Sequence, residues 1–202
     1  MSGQPVQFVR TLAAEDQARA NFYALLSRLF YAPADAGLLA ALAAADELEA
    51  EDERLARDWR ELCAAAANVQ VEDLREEYET AFVGTGRAPI TLYATAYSIQ
   101  YTNDVPLAAL RGELTRLGLA RRSDAGEPED HIAALCDVMR HLIAEQQLDP
   151  GTQKRFFERW IAPNFESLCA AIERSELGAF YKSSGRLAKT FFSLEQAAFE
   201  ML

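Results

Sequence analysis

The sequence has few residues of the kinds that build metal centres and disulfide frameworks. Its 202 residues include two histidines and three cysteines. The cysteines Cys63, Cys136 and Cys169 lie far apart, form no CxxC pair and sit in apolar or alanine-rich stretches. We therefore expect reduced thiols in the core and not disulfide bonds or a cysteine-based zinc site.

The two histidines, His131 and His141, give little support for a metal centre. They are ten residues apart, so on one helix their imidazole rings point to different faces. Phosphate-loop, dinucleotide-binding, zinc-protease and nucleophile-elbow motifs are also missing from the sequence. We expect no metal and no cofactor. A hydrolytic enzyme acting on a small molecule or nucleotide through Asp130 and His131 stays open as the alternative, although adjacent residues do not face each other on a helix.

Positive charge is scarce as well. The chain has 20 lysines and arginines against 31 aspartates and glutamates, a net charge of −11, and its longest basic run is Arg121-Arg122. Nucleic-acid binders usually carry a basic patch, so this balance argues against a nucleic-acid partner and favours a basic one. The sequence has no apolar run of about 18 residues and no signal-peptide pattern at its start. We expect a cytoplasmic protein without stable membrane insertion.

Helical periodicity is the strongest positive signal. Apolar residues recur at spacings of three and four in eight segments, residues 15–31, 38–42, 55–66, 71–82, 107–117, 132–143, 156–172 and 180–198. Asp35 and either Asn103 or Asp104 can cap two of these helices, and Pro163 should kink or divide the seventh. The pattern predicts an all-α bundle of about eight helices in a single domain over residues 1–202, with 1–14 as a flexible N-terminus. Its expected core includes Phe156, Trp160, Phe191 and Leu194.

The helical pattern fails between Gly84 and Asn103. Glycine and proline interrupt it, and β-branched and aromatic residues follow, among them Tyr93 and Tyr97. These residues are compatible with a short strand, but the chain has no second strand-like run to pair with it. We therefore predict a long loop between the fourth and fifth helices. A loop of about twenty residues in a compact domain is usually functional.

The segment from Glu127 to His131 precedes the apolar run that starts at Ile132. Pro128 suits a first helical turn, and the carboxylates of Glu127, Glu129 and Asp130 suit the positive end of a helix dipole. The simplest interpretation is a well-formed helix N-terminus. With the aromatic loop expected nearby, the segment also forms a candidate recognition surface, on which His131 should be solvent-accessible. The alternative makes His131 a core histidine bonded to a loop carbonyl.

On that surface, a bound peptide would place apolar side chains against Phe82, Tyr93 and Tyr97. Its basic residues would meet the carboxylates at positions 127, 129 and 130. A plain helical scaffold, in which the loop only covers the core, remains a further possibility.

Three groups of residues resemble the TorD/DmsD family of cytoplasmic chaperones for molybdoenzymes. They are, in chain order, Arg19-x3-Tyr23-x2-Leu26-x3-Phe30, Tyr78-x3-Phe82-Val83-Gly84 with Pro89 and Tyr93-x3-Tyr97, and Glu127-Pro128-x-Asp130-His131. The segments Phe157-x2-Trp160-Ile161-x-Pro163 and Phe180-Tyr181-x5-Leu187 are similar to the closing helices of the family. The chain departs from the family pattern at Ala81, at Thr85 and at Ala94-Thr95.

The resemblance implies an all-helical protein that is not an enzyme. Such proteins bind the N-terminal segment of an apo-molybdoenzyme, often a twin-arginine signal, and hold it until the molybdenum cofactor is inserted. It also implies a client of the formate dehydrogenase or dimethyl sulfoxide reductase type, and a monomer or homodimer. The residues it places in the peptide site are Phe82, Gly84, Pro89, Tyr93, Tyr97, Pro128, Asp130 and His131, to which the charge argument adds Glu127.

Overall fold

The computed structural model describes residues 12–84, 88–98, 106–121 and 126–202. Within these residues it contains ten α-helices and no β-strand, which confirms the all-α prediction. The helices are α1 (Ala14–Tyr31), α2 (Ala36–Ala43), α3 (Glu53–Ala67), α4 (Val71–Tyr78), α5 (Thr95–Ser98), α6 (Pro106–Arg116), α7 (Ile132–Arg140), α8 (Pro150–Trp160), α9 (Phe165–Arg174) and α10 (Ala179–Glu200). Single π-helical turns, Glu79–Val83 and His141–Glu145, extend α4 and α7. Most of the N-terminal segment expected to be flexible lies outside the described residues.

The helix boundaries follow from local capping chemistry. The Asp35 carboxylate accepts a hydrogen bond from the Leu38 amide and starts α2, as predicted. Asp149 caps α8 in the same way, with Pro150 at the first helical position. Gly84 ends the α4 extension with a φ of 64°, which glycine adopts without steric cost. The predicted cap at Asn103 or Asp104 lies outside the described residues.

Two features raise the number of helices above the predicted eight. We predicted that Pro163 would kink or divide the seventh helix. It divides the helix, because residues 161–164 are not helical and separate α8 from α9. The short helix α5 lies inside the segment that we predicted to be a loop. The rest of the described part of that segment, residues 88–94, is not helical.

A continuous hydrophobic core connects the helices. α1 packs mainly on α7, α3 packs on α10, and α9 also packs on α10. Phe156, Trp160 and Phe191 are buried as predicted, whereas Leu194 is only partly buried at the edge of the core. All three cysteines are free thiols; Cys136 and Cys169 are buried in the core as expected, whereas Cys63 is only partly buried.

A buried ion pair joins the two ends of the chain. The guanidinium group of Arg19 on α1 donates to Glu195 on α10 at 2.7 Å, and the Tyr23 hydroxyl donates to the same carboxylate at 2.9 Å. Removing one member would leave an uncompensated buried charge, so this contact specifies how α1 and α10 pack.

None of the helices in the described ranges is both long and apolar enough to cross a membrane.

Candidate functional site

The segment from Ala88 to Ala94 has an extended backbone whose side chains alternate between core and solvent. Ile90, Leu92 and Ala94 are buried, whereas Pro89 and Tyr93 are exposed. The amide of Ile90 donates to the carbonyl of Ala81, which fixes the segment to the π-helical turn after α4. A two-residue period of this kind is typical of a strand with one buried face. Here it presents Pro89 and Tyr93 outward from a fixed backbone.

One isolated antiparallel bridge joins this segment to the start of α7. Tyr93 pairs with His131, through hydrogen bonds from the Ala94 amide to the Asp130 carbonyl and from the Ile132 amide to the Leu92 carbonyl. The expectation that the aromatic loop and the segment from Glu127 to His131 lie together is therefore confirmed. One residue pair with two hydrogen bonds does not make a strand ladder, so the bridge needs no second strand-like run in the sequence.

The bridge also corrects the predicted helix start. α7 begins at Ile132 with His131 as its N-cap, so Pro128 lies before the helix and not in its first turn. The carbonyl of Asp130 and the amide of Ile132 bond to residues 94 and 92, and His131 between them has an extended backbone at the N-cap. The backbone of Asp130 therefore pairs across to the loop before the helix begins.

His131 and Asp130 are buried, which contradicts the predicted exposure of the histidine. Their exposed fractions are 3% and 5%. The Nδ1 atom of His131 accepts a hydrogen bond from the Ala133 amide at 3.2 Å, and the Asp130 carboxylate accepts one from the Thr95 hydroxyl at 2.5 Å. The alternative prediction, in which His131 is a core histidine, therefore agrees better with the structure. The hydrogen-bond partner of the imidazole is, however, an amide of its own helix and not a loop carbonyl.

Two tyrosine rings flank the imidazole of His131. The ring of Tyr93 lies 5.5 Å from it and the ring of Tyr31 lies 6.4 Å from it, both in T-shaped geometry. Burial lowers the pKa of His131 below its ordinary value, although the negative charges of Glu127 and Asp130 act in the opposite direction. The imidazole is therefore kept neutral, as its use of Nδ1 as an acceptor requires.

Tyr31 was not among the residues predicted for the site. It ends α1, one residue beyond the buried stripe formed by Leu26, Leu29 and Phe30. Its position off that stripe, directly before Ala32 and Pro33, is the sequence signal that could have identified it as an exposed aromatic residue. Proximity to His131 could not have been inferred, because the two residues are 100 positions apart.

Exposed apolar side chains gather at this junction. Tyr31, Val83 and Tyr93 are 49%, 56% and 36% exposed, and among the described residues the other large exposed apolar side chains are the last two, Met201 and Leu202. A shallow cavity of about 250 Å³ lies beside Tyr31, between the end of α1 and the start of α2, and includes Pro33 and Asp35 in its wall. A tyrosine pair beside a small cavity can receive apolar side chains.

The three carboxylates of the segment from Glu127 to Asp130 have different surroundings. Glu127 accepts a 2.6 Å hydrogen bond from the Tyr93 hydroxyl, which raises the pKa of that tyrosine to about 12. Glu129 binds the guanidinium group of Arg111 at 3.0 Å, and this bond lowers the pKa of its carboxyl group. Because Asp130 is buried against Thr95, Glu127 is the carboxylate of this segment best placed to meet a basic ligand.

The remaining predicted site residues divide into exposed and supporting groups. Phe82 is buried between the rings of Tyr78 and Tyr181 and supports the surface from below. Tyr97 is partly buried and donates to the Thr91 carbonyl at 2.9 Å, which stabilises the turn into α5. Gly84, Pro89 and Pro128 lie at the surface or half-buried. Across the described ranges, no group of three or more His, Cys, Asp or Glu side chains could hold a metal ion.

Comparison with known proteins agrees with the motif order. Residues 47–170, more than half of the chain, match the family model described as nitrate reductase delta subunit. The chaperone protein TorD of Photobacterium profundum is 29% identical over 62% of this chain, and that of Aliivibrio fischeri is 27% identical over 61%. The matched regions span 63% and 62% of those two relatives, slightly under two thirds of their length. The family match, the TorD relatives and the conjunction of Tyr93 with the segment from Glu127 to His131 lead to one conclusion: the chain belongs to the TorD/DmsD family.

Proposed function

We propose that this chain is a cytoplasmic chaperone that binds the N-terminal segment of an apo-molybdoenzyme. Its client would be a catalytic subunit of the formate dehydrogenase or dimethyl sulfoxide reductase type, held by its twin-arginine signal until the cofactor is inserted and export or assembly begins. Family membership and the names of the two TorD relatives support the class of function. The chain would act as a monomer or homodimer, without a cofactor of its own.

The exposed pair of tyrosines beside His131 is the observation that carries this proposal. A twin-arginine segment combines two guanidinium groups with an apolar stretch. Arginine stacks on tyrosine rings and forms charge-assisted hydrogen bonds with carboxylates, and apolar side chains fill shallow cavities. Tyr31 and Tyr93 supply the rings, and Glu127 supplies a carboxylate beside Tyr93. The cavity next to Tyr31, whose wall includes the Arg28–Asp35 ion pair, supplies a pocket.

Within this proposal Asp130 and His131 are positioning residues. Asp130 accepts the hydrogen bond of Thr95, and His131 caps α7 and contacts both tyrosine rings. Their side chains set the spacing of the surface that a peptide would contact. The same burial gives no support to hydrolysis by Asp130 and His131, because neither side chain is placed to meet a substrate from solvent.

The test is capture of the client from host cells, with two matched changes. The affinity-tagged chain should retain the apo form of a molybdoenzyme catalytic subunit, identified by mass spectrometry. Deleting the N-terminal segment of that client, or introducing Tyr31→Ser together with Tyr93→Ser, should each abolish retention. If no molybdoenzyme is retained, the chaperone proposal fails; if deletion of the segment changes nothing, the client is held elsewhere.

A further inference from the structure

The two exposed tyrosines beside His131 have different charged surroundings. The hydroxyl of Tyr93 donates to the Oε2 atom of Glu127 at 2.6 Å. The other carboxylate oxygen of Glu127, Oε1, has no partner among the described residues, and it is open to solvent because Glu127 is only half-buried. An exposed aromatic ring and an available carboxylate oxygen therefore lie side by side at Tyr93.

The surroundings of Tyr31 are mostly apolar and have no net charge. The wall of the adjacent cavity consists largely of Tyr31, Ala32, Pro33, Ala34 and Leu38. The charged groups in this wall are Arg28 and Asp35, which lie 3.6 Å apart and balance each other. Small-molecule sites usually enclose about 300–1,000 Å³, so a cavity of about 250 Å³ suits a single side chain better than a whole ligand. The exposed guanidinium group of Arg28 would repel a second cation there.

The distance between the two rings limits how far apart the contacts of one peptide can be. The rings of Tyr93 and Tyr31 lie 5.5 Å and 6.4 Å from the imidazole of His131, so their centres are at most about 12 Å apart. An extended chain rises about 3.3 Å per residue, so this distance corresponds to no more than about four residues. Side chains of an extended chain alternate between two faces, so two that face the protein are an even number of residues apart.

We propose that this surface recognises an extended peptide through one arginine and one apolar side chain, two or four residues apart. The arginine stacks on Tyr93 and donates to the Oε1 atom of Glu127, and the apolar side chain enters the cavity beside Tyr31. Arg28 acts as a specificity-determining residue, because it disfavours a cation in that cavity. This inference rests on the proposed function and names the part of the client segment that each half of the site receives.

One consequence concerns the two arginines of a twin-arginine segment. Adjacent side chains of an extended peptide point to opposite faces, so only one of two neighbouring arginines can reach Glu127 while the apolar side chain occupies the cavity. The other arginine points away from the protein. It contributes only through the long-range attraction of the net charge of −11.

Calorimetric titration with short synthetic peptides tests the proposal. Each peptide carries Arg-Arg in a background of serine and alanine, with a single leucine two residues after the second arginine. Replacing the second arginine with glutamine should weaken binding about tenfold or more, because a charge-assisted contact is lost. Replacing the first arginine removes the same charge and should change the affinity less than about threefold. Moving the leucine to six residues after the second arginine, about 20 Å away, should also weaken binding about tenfold.

Variants of the chain locate the arginine contact. Glu127→Gln should weaken binding of the parent peptide about tenfold, but it should hardly affect the peptide that lacks the second arginine, because the two changes remove the same contact. The control is Glu173→Gln, which removes the same charge from an exposed residue of α9 that pairs with Arg186. Its affinity should stay within about twofold. Equal weakening by the two variants would mean a general charge effect and would overturn the assigned contact.

A third comparison tests the role of Arg28. Replacing the leucine of the peptide with lysine should weaken binding to the unmodified chain about tenfold, and the Arg28→Gln variant should show this preference for leucine reduced severalfold. An unchanged preference would contradict the specificity role of Arg28. Thermal melting of each variant shows that it is folded.

The outcomes separate this inference from the proposed function. If the unmodified chain binds none of the peptides, the proposed function fails and this inference fails with it. If the peptides bind with equal affinity whichever arginine is replaced and wherever the leucine stands, the chain still recognises such a segment. In that case the pairing of one arginine with one apolar side chain is refuted alone.

Discussion

At position 131 the imidazole ring caps α7 and lies in T-shaped geometry to the rings of Tyr31 and Tyr93, while the main chain of the same residue pairs with Tyr93. Capping through Nδ1 requires the neutral form of the side chain. A residue with these contacts mainly stabilises the fold. It contributes to peptide recognition only indirectly, by positioning Tyr31 and Tyr93.

We predict that His131→Ala lowers the free energy of unfolding by about 1–3 kcal/mol, because an N-cap is lost together with two ring contacts. Asparagine is a good N-cap, so His131→Asn should lose less than His131→Ala. Urea unfolding of the three proteins measures the difference. A loss below about 0.5 kcal/mol for alanine would show that the ring is not a structural element.

The pH dependence of stability follows from the lowered pKa of His131. The unfolded chain protonates this residue near its ordinary pKa, whereas the folded chain resists protonation down to lower pH. The stability contribution is therefore present above about pH 6.5 and is lost as pH falls from that value towards the folded pKa. Between about pH 7.5 and about pH 5.5, the unmodified chain should lose more stability than His131→Asn. Parallel curves for the two proteins would contradict the buried neutral histidine.

At the scale of elements, the extended segment from Ala88 to Ala94 and the start of α7 form one unit. They are joined by the Tyr93–His131 bridge and by the hydrogen bond from Thr95 to Asp130. This unit holds Tyr93 at a fixed distance from Tyr31, which belongs to α1. Substitutions that weaken the bridge or this hydrogen bond should therefore lower both the free energy of unfolding and the affinity for a peptide.

We predict that Thr95→Val costs about 1.5–3 kcal/mol of unfolding free energy, because it leaves the buried Asp130 carboxylate without its hydroxyl donor. Thr115→Val is the control, since that threonine is exposed and bonds only to the preceding turn of its own helix. Chemical denaturation of both variants measures the two losses. Equal, small losses would mean that Asp130 is satisfied without Thr95.

Trp160 and the neighbouring Arg159 connect α8 to Glu113 of α6. The indole ring of Trp160 is buried, and its Nε1 atom donates to the Glu113 carboxylate at 2.9 Å. Trp160→Ala should cost about 3–5 kcal/mol in unfolding free energy, the usual loss for a large aromatic residue in a core. Trp59→Ala removes a partly buried tryptophan and should cost clearly less. A loss of under about 1 kcal/mol at position 160 would show that this residue does not hold the core together.

The helices could be predicted because periodicity and caps are local properties. Asp35 caps α2 and Pro163 lies in the break between α8 and α9, both at the positions that the sequence predicts. The burial of His131 could not be predicted, since it depends on residues 30–100 positions away, namely Tyr31, Tyr93 and Thr95. For the same reason the packing of Phe82 against Tyr181, about 100 positions further along the chain, could not be predicted.

At the scale of the whole molecule, the net charge of −11 should assist the capture of a basic segment. We predict that the affinity for a twin-arginine peptide falls severalfold between about 50 mM and about 300 mM salt, because exposed attraction is screened within about 10 Å. A peptide with both arginines replaced by glutamine should show a smaller change. Equal affinities at both salt concentrations would mean that the contact is apolar.

The most direct measurement of the central claim is titration of a twin-arginine peptide into four variants and the unmodified chain. Tyr31→Ser and Tyr93→Ser should each weaken binding by about tenfold or more, as expected for aromatic residues at the centre of an interface. Tyr93→Phe, which keeps the ring, should stay within about threefold, and Met201→Ser, at an exposed site near the C-terminus, should have no effect. Thermal melting of each variant confirms that it is folded. Unchanged affinity in both folded serine variants would contradict the account, because the peptide would then bind elsewhere than at the tyrosine pair beside His131.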